Sequence, residues 1–310
     1  MGKIINSKTT QAMLLQHFMH AYTAVSSKKR YDACVEIIQN ADAIMVLGTK
    51  IATDSPELYK MLEVLSRKED VKIVYSHPID DPAMRAITNQ FMKYEPGSEE
   101  GVIALLAYYL LEGENLPERT KNFLDALDVA YLEAESNTGE EEFEETVALF
   151  KAANTRVLIL GDDLMAHPRA QNIAKICALI ENNYDISIYI ASSLVNEMEI
   201  SQTSAVDAEL QEVEDLPEYN GTVIYHAHGL HKDDKSLHGS VQFANAAKIS
   251  DGDFISIAFD GQTINREFKI DNELKGTIAI NPISDIDVQL QRYKFERSKI
   301  NKINQNSESR

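Results

Sequence analysis

Two short loops carry residue types that bind anions. Gly48-Thr49-Lys50 follows the apolar run Ala43-Ile-Met-Val-Leu47, and Gly161-Asp162-Asp163 follows Arg156-Val-Leu-Ile-Leu160. A glycine closing a buried strand lets a phosphate approach the N–H groups that open the next helix. Thr49 and Lys50 add a hydroxyl and a cation suited to that anion. Asp162 and Asp163 would repel it, yet either can accept from a ribose hydroxyl. Neither loop is G-x-G-x-x-G or a Walker A sequence. Two alternatives therefore stand: a phosphate-binding site, or glycines that only turn the chain.

Four histidines, His226, His228, His231 and His238, fall within 13 residues beside Asp233 and Asp234. On a strand His226 and His228 point to one side, which makes them a candidate metal pair. The following His231-Lys-Asp-Asp-Lys235 reads as an exposed polar loop, so the alternative is a solvated or interface segment. His17 and His20 lie three apart on a helix with no third ligand near in sequence, as packed or solvated histidines do. The two cysteines, Cys34 and Cys177, read as small buried residues in a reducing compartment. No C-x-x-C occurs, so zinc and iron–sulfur sites of the usual spacing are excluded. There is no G-x-S-x-G and no cysteine in an activating setting, so no catalytic residue is assigned.

The elements that would position these residues repeat. Ala43–Leu47 is a strand buried on both faces. Asp54-Ser-Pro56-Glu57 opens a helix through Leu58, Met61, Leu62 and Leu65. Val71–Tyr75 is the next strand, closed by His77-Pro78. The same order recurs as strand Arg156–Leu160, His167-Pro168, a helix through Ile173, Ile176, Leu179 and Ile180, and strand Asp185–Ile190. Such β-α-β units are parallel and right-handed. Upstream, 8–24 reads as a helix with Met13, Leu14, His17, Phe18 and Tyr22 on one face, and 31–40 as a helix with Cys34, Ile37 and Ile38 inward. A further helix covers 101–111.

The last third reads differently. Strands at 222–225, 253–259, 263–270 and 276–280 are separated by Asp251-Gly252, Asp260-Gly261 and Asn272-Glu273, which predict hairpins. The fold class expected is α/β, with two Rossmann-like parallel-sheet units and then a small β-rich, barrel-like C-terminal domain. The expected division is 1–132 for the first unit with its N-terminal helices, 133–154 for an acidic connector and helix, 155–215 for the second unit, 216–290 for the β-rich domain and 291–310 for a basic extended tail. That tail carries Arg292, Lys294, Arg297 and Lys299 and reads as a partner-binding arm.

Composition narrows the function classes. The chain has 310 residues, 44% hydrophobic and 25% charged, the balance of a globular protein. Its formal charge of −19 repels phosphate backbones, so nucleic acid is excluded as a partner. No run of about 18 apolar residues spans a membrane, and the N-terminus has no secretory leader pattern, so a cytoplasmic protein is expected.

Several segments resemble the molybdopterin oxidoreductase superfamily in that family's order. They are Ala41-Asp-Ala-Ile-Met-Val-Leu-Gly-Thr-Lys-Ile-Ala-Thr-Asp-Ser-Pro56, Tyr94-Glu-Pro-Gly-Ser-Glu-Glu-Gly-Val-Ile-Ala-Leu-Leu-Ala107, Val157-Leu-Ile-Leu-Gly-Asp-Asp-Leu-Met-Ala-His-Pro168, and Ala244 through Ile257 with Leu274–Ile280. Within the superfamily the chain is most similar to the member that forms part of the bacterial NADH:quinone oxidoreductase, respiratory complex I. The family's cysteine-rich cluster domains and its molybdenum-ligating residue have no counterpart here. The resemblance implies an accessory subunit without a cofactor or catalysis of its own, partnered by other peripheral-arm subunits of complex I and reaching the membrane only through them. On that reading Gly48, Thr49, Lys50, Gly161, Asp162 and Asp163 are a vestigial cofactor site. The alternative is a stand-alone pterin- or nucleotide-binding module; a metal-dependent enzyme using His226 and His228 is the third.

Overall fold

The computed structural model describes the whole chain except residues 1–9, 28–30, 32, 193–207, 214, 229–233, 260–261, 284–292, 298 and 304–310. It divides into two compact units, Met1–Pro217 and Glu218–Arg310. The division falls at the second acidic stretch, two residues from the expected start of the β-rich domain.

The first unit is built on five parallel strands, β1 (Ala43–Leu47), β2 (Lys72–Ser76), β3 (Gln90–Met92), β4 (Arg156–Leu160) and β5 (Ser187–Ile190), in the order β3-β2-β1-β4-β5. The two predicted β-α-β units are thus halves of one sheet. The chain winds outward in one direction from β1 and in the other from β4, so the switch point, where such sheets take ligands, lies between those two strands.

Alternating side chains of the strands feed two layers. Met45, Leu47, Val74, Leu158 and Leu160 pack against α1 (Thr10–Val25), α6 (Glu99–Leu111) and α11 (Ala170–Asn183). Ile44, Val46, Ile73, Tyr75, Val157 and Ile159 pack against α2 (Val35–Gln39) and α4 (Pro56–Leu65) through Ile38, Leu58, Leu62 and Leu65. Short α3 (Ile51–Asp54) and α5 (Pro82–Arg85) lie in the β1–α4 and β2–β3 connections, and α10 (Asp162–Ala166) follows β4. The buried stripe of α1 is Ala12, Leu15, Phe18, Met19 and Tyr22, which leaves Met13 and His17 exposed rather than inward as expected. Cys34 is likewise exposed at the N-cap of α2, whereas Cys177 is buried, and both are free.

The acidic run at 133–145 is helical on both sides of a short loop. It spans α8 (Val129–Ser136) and α9 (Glu140–Ala152), both packed in the first unit after α7 (Glu118–Asp125). Asn137 at φ 55 ends α8 in the left-handed conformation. Glu140, Glu141 and Glu142 then occupy the first turn of α9, where carboxylates suit the helix dipole, and Glu142 accepts from Gly139 N at 3.0 Å.

The second unit is a seven-stranded sheet ordered β11-β6-β10-β7-β9-β8-β12. Its strands are β6 (Val223–His228), β7 (Ser236–Gly239), β8 (Phe254–Phe259), β9 (Gln262–Ile270), β10 (Ile278–Ile283), β11 (Phe295–Glu296) and β12 (Ile300–Lys302), with α12 (Val241–Ala247) between β7 and β8. It is mixed rather than antiparallel, because β6–β10 and β7–β9 are parallel. Of the three expected hairpins only the one at 260–261 joins neighbours, β8 and β9. Asn272-Glu273 leads from β9 past β7 to β10, and Asp251-Gly252 leads from α12 into β8.

Within the basic tail, two short strands clasp this sheet. β11 and β12 are its opposite edges, yet only residues 297–299 separate them. Four Cα steps reach at most about 14 Å, whereas seven flat strands would be about 29 Å across. The sheet must therefore curl. Lys294 is buried, with Nζ 5.7 Å from the Tyr225 ring centroid; Arg297 and Lys299 are exposed, and Arg292 lies outside the described residues. Phe295 anchors the clasp, its ring 4.6 Å from that of Tyr225 and 5.5 Å from that of Tyr293. Phe295→Ala should cost the second unit about 3–5 kcal/mol, seen as a lower urea midpoint.

Candidate functional site

The two predicted loops meet at the switch point and fill it with each other. A Cβ on Gly161 would lie 2.2 Å from Gly48 O and 2.2 Å from Thr49 Cβ. Gly161 N donates to Leu47 O at 2.9 Å and Asp163 N to Gly48 O at 3.1 Å. Two of the N–H groups that a phosphate would use are thus bound to the end of β1 and the loop after it. Gly48 has φ +70, and a Cβ there would lie 2.8 Å from Leu164 Cγ.

Thr49 and Lys50 do hold anions, but the anions are carboxylates of the same chain. Thr49 Oγ1 donates to Asp54 Oδ2 at 2.8 Å, and Lys50 N donates to the same oxygen at 3.0 Å. Lys50 Nζ lies 3.0 Å from Asp81 Oδ2, both side chains 8% exposed. The other oxygen of Asp81 caps α5, accepting from Ala83 N at 3.0 Å. Asp54, just before the N-cap Ser55 of α4, thus serves the β1 loop.

A second buried pair ties the loops after β2 and β4 together. His77 Nε2 stands 3.1 Å from Asp163 Oδ2, and neither side chain is exposed. Ile79 N donates to His77 Nδ1 at 3.0 Å, which leaves the Nε2 proton for Asp163. Tyr75 stacks on His77 at 5.9 Å and donates to Thr49 O at 3.2 Å; burial, then the carboxylates of Asp81 and Asp163, hold its phenol well above its ordinary pKa. Asp162 beside this pair is partly exposed.

The other His-Pro dipeptide makes the same turn. Arg169 N donates to His167 Nδ1 at 3.0 Å, and His167 Nε2 lies 3.0 Å from Gly97 O and 3.5 Å from Glu99 Oε2. Beside it Arg169 Nε bonds Glu100 at 2.9 and 3.1 Å, and Asn172 Nδ2 donates to Glu100 at 2.6 Å. Sequence reasoning did not assign Asp54, Asp81, Glu99, Glu100, His167 or Arg169 to a site. The available signal was the recurrence of a His-Pro step, once after β2 and once before α11.

Burial pushes the His167 imidazolium down to about 4, with Arg169 acting the same way and the Gly97 carbonyl opposing. A histidine depressed from about 6.5 stabilises the fold above pH 6.5 and loses that contribution as the pH falls toward 4, about 3 kcal/mol in all. His167→Gln should flatten the decline in unfolding free energy between pH 6.5 and 4, measured by urea titration at each pH.

The arrangement neutralises charge and fixes loops, and Thr49, Lys50, His77, Asp81, Asp163 and His167 are all buried. It leaves no room at the β1–β4 loops for the phosphate of a pterin cofactor, so the residues present do not fit that group there. In the second unit His226 is also buried: its Nδ1 lies 3.0 Å from Asn281 Nδ2 and its Nε2 3.4 Å from Glu296 Oε2. Burial lowers its pKa, with Glu296 opposing. The His228 side chain and residues 229–233 lie outside the described residues, and among those described no group of three or more His, Cys, Asp or Glu residues could hold a metal ion. No described helix is long and apolar enough to cross a membrane.

No protein-family model matches the chain, and no curated protein matches it. Among solved structures, acetylene hydratase from Pelobacter acetylenicus is similar at 7% identity and a TM-score of 0.45, over 56% of this chain and 25% of that one. At that level the likeness carries no functional argument.

Proposed function

We propose that the chain is an accessory, non-catalytic subunit of an oxidoreductase assembly, a scaffold whose ancestral ligand crevice is now a structural joint. One observation carries this reading: the β1–β4 crevice is closed by Gly48 against Gly161, with the carboxylates of Asp54 and Asp81 on the groups that would bind an anion. The ordered segments similar to molybdopterin oxidoreductases, and to the complex I member of that superfamily in particular, point to the peripheral arm of an NADH:quinone oxidoreductase-type complex. On this reading the partners are other subunits of that arm, and the chain sits at the cytoplasmic face of the membrane through them. The charge of −19 disfavours nucleic acid.

The test is gentle solubilisation of cells carrying the tagged chain, followed by identification of co-purifying proteins and an ultraviolet spectrum of the heat-released small molecules. Peripheral-arm subunits in stoichiometric yield, with no released chromophore, are the expected result. The chain recovered alone with pterin or nucleotide absorbance would overturn the reading in favour of a binding module.

A further inference from the structure

Residues 208–213 and 215–217 lie along the first unit as a strap held by side chains. Arg119 Nη2 donates to Ala208 O at 2.6 Å, Lys175 Nζ to Glu209 O at 2.6 Å and Arg169 Nη2 to Glu212 O at 2.6 Å. The Asn172 amide grips Gln211 from both sides, accepting from its N–H at 2.8 Å and donating to its carbonyl at 3.1 Å. Leu216 N donates to Tyr131 OH at 3.0 Å. A side-chain amide bonded to both polar groups of one residue does what a neighbouring strand does. Arg169 is aimed by the buried carboxylate of Glu100.

Two further features make this a built groove. Leu216 is buried against Gly101, where a Cβ would lie 2.7 Å from Leu216 Cδ1, so the glycine makes an apolar socket for that side chain. The strap also leaves space unfilled: a hollow of about 550 Å³ remains beside it, lined by Arg119, Phe123 and Leu127 of the α7 region and by Leu210 and Val213. Arg119, Arg169 and Lys175 converge here in a chain of charge −19, and the strap they hold carries Glu209, Glu212 and Asp215.

We propose that this surface of α6, α7, α8 and α11 is a binding groove for an extended, acidic, leucine-anchored peptide of a partner protein, and that residues 208–217 are a built-in occupant which that peptide displaces. Recognition runs through the peptide backbone and one leucine socket, so it tolerates sequence variation elsewhere, as in strand-addition complexes. The inference rests on the scaffold reading only for the source of the peptide. The strap, tethered in cis, competes at an effective concentration in the millimolar range, which keeps the groove closed to weak ligands.

The probe is a fluorescein-labelled peptide with the sequence of residues 208–217, and the readout is anisotropy with the purified full chain. Leu216→Asp in the chain loosens the resident strap, and this variant should bind the peptide at least about tenfold more tightly than the parent does. A scrambled peptide, or the same variant carrying Arg119→Leu and Lys175→Met, should lose about tenfold or more. If Leu216→Asp does not fold, Leu216→Ala empties the socket of the resident side chain without placing a charge in it and should give a smaller gain in the same direction. Equal binding of the scrambled peptide, or no binding by a folded loosened variant, would overturn the proposal. Because only the purified chain is used, this result is independent of what co-purification returns.

Discussion

Asp81→Asn is expected to destabilise the first unit by about 3–5 kcal/mol, although it keeps an oxygen to cap α5. The cost arises at Lys50, whose ammonium lies 3.0 Å from Asp81 with both side chains 8% exposed. Removing one partner leaves the other charge buried and uncompensated, which is far costlier than losing a surface ion pair. For a unit of this size the melting temperature should fall by about 10 °C. Lys50→Met combined with Asp81→Asn should recover most of the loss, because no lone charge then remains. A thermal melt of the two single variants and the double variant completes the cycle. If Asp81→Asn costs less than about 1 kcal/mol, Lys50 is not committed to an internal anion and the closed-crevice account fails.

Much of the first unit was legible because its strands announce themselves. Ala43–Leu47 is an unbroken apolar run of five and Val157–Leu160 one of four, each closed by glycine, and the strands Ala43–Leu47 and Arg156–Leu160 have the expected limits. β3 escaped because Gln90-Phe-Met is three residues long, too short for any period to register. The inward face of α1 was misplaced for a different reason. Apolar residues occupy positions 12 to 15 without a break, so periodicity alone cannot say which stripe faces the sheet. At the other end, the lysines and arginines of 292–302 drew attention away from Tyr293 and Phe295, the two aromatic anchors of the clasp.

The site was legible in kind but not in partner. Thr49 and Lys50 suit an anion by chemistry, and the structure puts anions on both. The anions are Asp54 and Asp81, and nothing in a single sequence distinguishes those two carboxylates from the other acidic residues in a chain with 49. His77 and Asp163 are 86 positions apart and meet only because β2 and β4 flank β1. Long-range pairing of this sort follows from strand order, which the repeated β-α-β pattern restricts without fixing.

The most direct test of the joint itself is a series of glycine substitutions. Gly161→Ala should be the most damaging, costing about 3 kcal/mol or more, because the new methyl meets backbone: it would lie 2.2 Å from Gly48 O and 2.7 Å from Gly48 C. Gly48→Ala meets the end of a side chain, Leu164, which can turn aside, but φ +70 adds about 1–2 kcal/mol for left-handed backbone. Gly113→Ala, at φ +83 with nothing within 4 Å, isolates that backbone cost alone. Urea unfolding should therefore order the variants Gly161, Gly48, Gly113 from most to least destabilised. A crevice left open for a ligand would give a different order, since a methyl at Gly161 would then project into free space and cost no more than at Gly113.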